Sequence, residues 1–168
     1  MQRTSFPSGD ENMIEASVTI QRPVEDVFKF YRDFKNLPRF LGDVMATEHI
    51  GPATSRWTIQ GPLGIRTHWT MQVTVERTNA LLCYETVTSP LLRTCWEIQF
   101  APGSQARETE VREVMKVPLG RLGCTALALL GKSPAEEVAS NLHRLKQVME
   151  EGRVSDTRYS VPGKFAQD

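Results

Sequence analysis

The chain has 168 residues, 40% of them hydrophobic and 24% charged, and its 20 Lys and Arg are matched by 20 Asp and Glu. That is the size and balance of one soluble domain with a core of its own. Without net charge there is no general field to draw it onto nucleic acid or an anionic membrane.

The opening stretch MQRTSFPSGDENM has one Arg and no apolar h-region, so no secretory signal is read there, and residues 1–12 are expected to form a flexible arm. IEASVTIQ then alternates. Ile14, Ala16, Val18 and Ile20 share one face and Glu15, Ser17, Thr19 and Gln21 the other, the pattern of a half-buried strand. RPVEDVFKFYRDF follows as a helix. Pro23 suits its first turn, Glu25 and Asp26 its positive end, and Val27, Phe28, Tyr31 and Phe34 fall near one face. NLPRFLGDV gives a second short helical piece, whose Leu37, Phe40 and Leu41 either cap a cavity or close the core.

From Val44 to Val117 the period is two, which predicts strands over 44–50, 54–60, 65–77, 81–88, 93–101 and 107–117. The turns GPAT, GPLG, TNA, SPL and APGSQ separate them, and such short connections predict consecutive antiparallel hairpins. The inward set is Trp57, Ile59, Ile65, Trp69, Met71, Val73, Val75, Leu82, Tyr84, Trp96, Ile98, Phe100, Val111, Met115 and Val117. The outward set is Arg66, His68, Gln72, Glu76, Glu85, Glu97, Glu110, Arg112 and Lys116, so one face is covered by protein and the other is mostly wet.

The last long element begins LGRLGCTALALLG. Its apolar run, Leu122 to Leu130, is about half of the ~20 residues a bilayer span needs and is interrupted by Thr125, so no transmembrane segment is read. Beyond Lys132, SPAE has the form of a helix start. Ser133 can cap, Pro134 fits the first turn, and Glu136 can reach back as in a capping box. Val138, Leu142, Leu145, Val148 and Met149 recur at helical spacing, with Glu136, Glu137, Arg144, Lys146 and Glu150 elsewhere. The element is one long helix kinked near Gly131–Pro134 or two abutting helices. Residues 153–168 have no period and read as a tail. Strand, two short helices, six antiparallel strands and a long helix make an α+β domain over 13–152, a curved sheet of about seven strands with a helix across it.

At this point the chain resembles a known group. RPVEDVFKFYRDFKNLPRFL looks like the first strand-to-helix segment of the START-like superfamily. GPLG followed by the Trp of GIRTHWTMQV resembles its central hairpin, and NALLCYETV the strand that follows. ETEVREV and SPAEEVASNLHRLKQVMEEG resemble the end of its bacterial polyketide cyclase/dehydrase-like subgroup. The superfamily also holds birch-pollen-allergen-like and coenzyme-Q-binding START domains. The resemblance spans residues 13–152 and implies the helix-grip fold, with a hydrophobic tunnel between the long helix and the concave sheet. Its specificity is for fold rather than activity, since members share a cavity and not a catalytic set. The implied lining is Phe40, Trp57, Ile59, Trp69, Met71, Tyr84, Trp96, Ile98, Val111, Glu113, Met115, Leu122, Ala126 and Leu129. Small Gly120, Gly123, Ala126 and Ala128 on the helix leave room for a ligand, or else the aromatic side chains fill the space and the core is closed.

Catalytic chemistry is thinly marked. His49, His68 and His143 have no metal-like spacing and read as surface or rim residues, so neither a metal nor a cofactor is expected. No nucleophile motif or phosphate loop occurs. Cys83, Cys95 and Cys124 read as free thiols of a reduced cytoplasm, with Cys83 and Cys95 near enough across a hairpin to be weighed as a redox pair. One residue breaks the strand pattern. In TEVREVMKV, Glu113 shares the parity of Thr109, Val111, Met115 and Val117. A carboxyl facing an apolar interior needs a partner or a raised pKa, which makes Glu113 a candidate acid/base or ligand hydrogen-bonder, unless a β-bulge turns it to solvent. Tyr84, with an inward hydroxyl, is the other candidate polar contact.

Three functions stay open. The first is a cytoplasmic binder of a hydrophobic or amphipathic small molecule: a lipid, an isoprenoid quinone or a polyketide-like compound. The second is a polyketide cyclase/dehydratase-type enzyme with Glu113 and Tyr84 as its polar groups. The third is a partner-binding domain using the outer helix face of Leu127 and Cys124, with a homodimer or a peripheral membrane contact as its forms. An inward Glu113 of raised pKa favours the enzyme, and a long apolar tunnel without inward charge favours the carrier.

Overall fold

A computed structural model describes residues 13–87, 93–116 and 133–165. Strand β1 (Met13–Ile20) follows the predicted alternation, with Glu15, Ser17 and Thr19 exposed and Ile20 buried. Helix α1 (Val24–Arg32) starts after the extended Pro23, carries Glu25 and Asp26 in its first turn, and buries Val27, Phe28 and Tyr31. A 3-10 helix at Phe34–Arg39 continues from it. Asp33 starts that piece by accepting from the Lys35 N–H, and Phe34 and Leu37 are buried. Phe40 and Leu41, just beyond it, are buried too.

Strands β2 (Val44–Gly51), β3 (Thr54–Gln60), β4 (Arg66–Arg77), β5 (Leu81–Thr86), β6 (Cys95–Pro102) and β7 (Thr109–Lys116) complete one sheet. Its order is β1-β7-β6-β5-β4-β3-β2, antiparallel throughout, so every neighbour from β2 to β7 is a hairpin partner and β1 closes onto β7. The chain between β1 and β2 lays α1 and the 3-10 helix over the concave face. Phe28 meets Phe100 edge-on at 5.2 Å, and Phe34 meets Trp57 in the same manner at 5.5 Å.

Helix α2 (Pro134–Glu151) packs chiefly on β1 and ends at Gly152, whose left-handed φ of 75° closes the last turn. Lys146 donates to the Thr19 carbonyl at 2.6 Å and Arg22 to that of Met149 at 3.0 Å, pinning the helix to the end of β1. Val138, Leu142, Leu145 and Val148 are buried as the spacing predicts. The stretch from Leu119 to Lys132, with the expected kink near Gly131, lies outside the described residues. Together these elements form the helix-grip arrangement of a seven-stranded antiparallel sheet with a C-terminal helix.

Several expectations are corrected. Ile65 precedes β4 and is exposed on the β3–β4 hairpin, beside Leu63, which is 98% exposed in a left-handed conformation. Val75 is exposed because the β4–β5 register shifts between Val73 and Val75, and that irregularity breaks the parity count. Ser133 makes no side-chain cap bond. Glu136 does not reach back to the helix start but accepts from the Tyr159 hydroxyl. Arg144, read as part of the polar side of the helix, is fully buried.

The reason for that last difference is the segment after Gly152, which returns along the domain as a strap without helix or strand. Arg144 donates to the Phe40 carbonyl (2.7 Å), the Arg158 carbonyl (2.6 Å) and Asn141 Oδ1 (2.5 Å), and its guanidinium lies 5.2 Å from the Phe165 ring centre. Asn141 Oδ1 also accepts from Gly42, Val161 donates to the Gly42 carbonyl at 3.0 Å, and Lys164 donates to the Leu41 and Val44 carbonyls.

Candidate functional site

The strand registers bring the inward side chains into cross-strand rows. Trp57 faces Trp69 across β3–β4, Val73 faces Tyr84 across β4–β5, Tyr84 faces Trp96 across β5–β6, and Ile98 faces Glu113 across β6–β7. Tyr84 and Trp96 stack at 5.4 Å with 17° between their planes, and Trp57 lies 5.5 Å from Tyr84. Phe34 from the 3-10 helix sets its edge against Tyr84 at 5.6 Å. Under α1 and the 3-10 helix, then, aromatic side chains fill the face. Of the expected lining, Phe40, Trp57, Met71, Tyr84, Ile98, Val111 and Glu113 are buried, whereas Ile59, Trp69, Trp96 and Met115 are only half-buried. Leu122, Ala126 and Leu129 lie outside the described residues.

Glu113 points inward. Its register with Ala16 on β1 and Ile98 on β6 is unbroken, so no bulge turns it out, and it is 3% exposed. Its Oε2 is buried and has no hydrogen-bond partner among the described residues. Burial alone lifts the carboxyl from 4.5 to about 8, so the group is mostly neutral at pH 7. An unpaired buried carboxyl is a cost of about 1–3 kcal/mol, and a site where such a cost persists calls for a functional account.

Two hydroxyls accompany it. Tyr31 on α1 and Tyr84 on β5 share a buried hydrogen bond of 3.1 Å. Burial pushes both phenols well above their ordinary range, and the Glu113 carboxyl adds to the rise in each. The three groups therefore sit within electrostatic reach of one another. The sequence placed Tyr31 on the buried face of its helix but did not link it to the site. The signal was available: a hydroxyl on a buried helix face needs a partner, and Tyr84 was the inward hydroxyl across from it. Arg144 and Lys164 were missed as well, since only the strap explains why their charges are enclosed.

The remaining candidates fall elsewhere. Cys83 faces Glu97, and Cys95 faces Glu85, so the two free thiols sit on adjacent strands two residues out of register. Burial and the neighbouring carboxylates raise both, Cys83 to about 11, which leaves them as poorly reactive thiols. Cys124 is outside the described residues. His49, His68 and His143 are exposed, and among the described residues no three His, Cys, Asp or Glu are grouped to hold a metal. An open groove of about 570 Å³ runs between α1 and the β4–β5 turn, past Lys29, Arg32, Glu76 and Asn79, outside the concave face. No described helix is long and apolar enough to cross a membrane.

Known proteins share this architecture. A crystal structure from Deinococcus radiodurans matches with a TM-score of 0.64 at 23% identity, over 83% of this chain and 98% of that one. One from Thermus thermophilus gives 0.62 at 21%, over 80% and 94%. A START superfamily protein from Mycobacterium smegmatis gives 0.63 at 15%, over 81% and 98%. A search of curated proteins returns no match. The family described as polyketide cyclase/dehydrase and lipid transport matches residues 13–150. On that match, the chain belongs to the polyketide cyclase/dehydrase and lipid transport family.

Proposed function

We propose that this protein binds a hydrophobic or amphipathic small molecule, such as a lipid, an isoprenoid quinone or a polyketide-like compound, against the concave face of its sheet. The observation that carries this reading is Glu113, a buried carboxyl whose Oε2 has no partner among the described residues, set among aromatic and aliphatic side chains. A ligand that is apolar for most of its length and polar at one point satisfies both the carboxyl and its surroundings. The half-buried Ile59, Trp69 and Met115, with the half-buried Trp96 at the edge of the aromatic cluster, supply apolar surface. Phe40, Trp57, Met71, Ile98 and Val111 back that surface as buried neighbours, and Leu122, Ala126 and Leu129 belong to the same proposed lining. Native mass spectrometry of gently purified protein tests the reading. A bound apolar molecule in part of the population is expected. A clean ligand-free mass, together with no uptake of quinones or alkyl compounds, defeats it.

The second reading is an enzyme of the cyclase/dehydratase type, favoured by the same residue. A carboxyl shifted to about 8 is poised to exchange a proton near neutral pH, and Tyr84 stands within its field. In its ionised form, a minority at pH 7 that grows towards pH 8, Glu113 would take a proton from the carbon next to a ligand carbonyl and return it to the product oxygen. Glu113→Gln is expected to abolish turnover while binding survives; unchanged turnover removes Glu113 from that role. The third reading, docking of a partner, a second copy or a membrane surface, rests on Leu127 and Cys124, which lie outside the described residues.

A further inference from the structure

We infer that the Glu113 site takes a ligand whose polar end is a neutral carbonyl oxygen and rejects anionic headgroups, so that a ketone, quinone or ester fits and a fatty-acid carboxylate does not. This rests on the proposed binding function and narrows it to a ligand class.

The donor inventory supports it. A neutral carboxyl has one O–H to give. The Tyr31–Tyr84 pair consumes one of its two hydroxyl protons internally and leaves the other for a second acceptor. Among the described residues two buried O–H donors, one on Glu113 and one on the tyrosine pair whose ionisation Glu113 influences, are therefore unspent, and Glu113 Oε2 has no partner. A carbonyl oxygen, with two lone pairs and no proton of its own, is the smallest group that answers such donors.

The charge inventory excludes the anion. Among the described residues, the charges that act on the tyrosine pair are the carboxyls of Glu113 and Asp43, and no Lys or Arg acts on either hydroxyl or on Glu113. Arg112, one residue before Glu113, points to the opposite face and is spent on Glu15 and Gln99. A ligand carboxylate entering here would lose its water and meet a second acid with no counter-cation among the described residues, the arrangement that buried charges avoid. The flanking Ala16 and Ile98 add no polar alternative.

The chain's three tryptophans, Trp57, Trp69 and Trp96, all sit on this face, so their fluorescence reports occupancy directly. The probes are a ten-carbon methyl ketone, decanoate, decylamine and decane, titrated at pH 7. The ketone is expected to bind at least about tenfold more tightly than decanoate, as one charge-free hydrogen bond against one desolvated charge implies. Glu113→Leu is expected to bring the ketone down to the level of decane with decane itself unaffected. Glu113→Gln, which keeps an N–H donor and guards against a folding defect in the first variant, is expected to retain the preference. Equal or tighter binding of decanoate overturns the inference, as does an unchanged ketone-to-decane ratio in Glu113→Leu. Tightest binding by decylamine overturns it too, since Glu113 would then act as a carboxylate counter-ion. Those three results leave the broader binding function standing. Failure of all four probes to bind defeats both.

Discussion

Arg144 on the C-terminal helix donates its Nε hydrogen to the Phe40 carbonyl 2.7 Å away, tying the last helix to the loop that leads from the 3-10 helix into β2. The same guanidinium holds Arg158 and faces Phe165, so one side chain joins helix, loop and strap. Burial lowers the pKa of Arg144, and the opposite charges of Asp156, Glu137 and Asp43 oppose that shift without cancelling it. Replacing Arg144 by Met takes a donor from the Phe40 and Arg158 carbonyls, while Asn141 Oδ1 keeps only its bond from the Gly42 N–H. The expected loss is about 3 kcal/mol, seen in urea unfolding as a lower midpoint with unchanged slope. A midpoint within error of the parent refutes this view of Arg144.

Gly42 tests the strap from the loop side, with Arg144 itself kept in the chain. A Cβ at this position would run into the Tyr159 carbonyl oxygen and stand 2.9 Å from Arg144 Nη2. Gly42→Ala is expected to cost about 1–3 kcal/mol and to expose residues 153–165 to limited proteolysis. If cleavage of that segment stays as slow as in the parent, the strap is not held by this contact.

Glu113 sets a pH dependence with a definite sign. Its folded pKa of about 8 lies above the ordinary 4.5, so the folded protein keeps a proton that the unfolded chain releases. The associated stability is fully present below pH 4.5 and is lost as pH rises towards 8. By pH 7 the loss is about 3 kcal/mol relative to acid, taking ~1.4 kcal/mol per unit. Denaturant unfolding between pH 5 and 8 should show this downward slope in the parent and a flatter one in Glu113→Leu. Parallel curves would mean the carboxyl is not buried in solution.

The tyrosines give an optical check. Of the three in the chain, Tyr31 and Tyr84 are enclosed and bonded to each other, while Tyr159 is exposed and raised above 10 by its bond to Glu136. Ultraviolet titration of the native protein should register one phenol ionising above pH 10, with the other two appearing only as the fold is lost. Tyr84→Phe should cost about 1 kcal/mol by orphaning the Tyr31 hydroxyl. Three phenols titrating together in the native state contradict this arrangement.

The strands were readable because a half-buried sheet writes its two faces into alternate residues, and Glu113 stood out against that rule. Parity failed where its premise failed. Val75 follows a register shift, and Ile65 belongs to a turn rather than to β4. The burial of Arg144 and Lys164 was not legible, because helical spacing says nothing of an irregular segment that returns to cover a polar face. The Tyr31–Tyr84 pair joins residues 53 positions apart and depends on how α1 lies across the sheet. Element types came from local pattern, whereas the composition of the site came from long-range packing.

The closure of β1 onto β7 has a consequence for how the molecule is made. Met13 pairs with Lys116, so roughly a hundred residues separate the partners of this ladder. On the ribosome, the hairpins from β2 to β7 can form one after another as they emerge. The first strand must wait for Thr109–Lys116, and α2, which packs on that strand, must wait longer still. The carboxyl of Glu113 is on the late-arriving strand and faces Ala16 on the waiting one, so the polar centre of the site is assembled in the final join of the sheet.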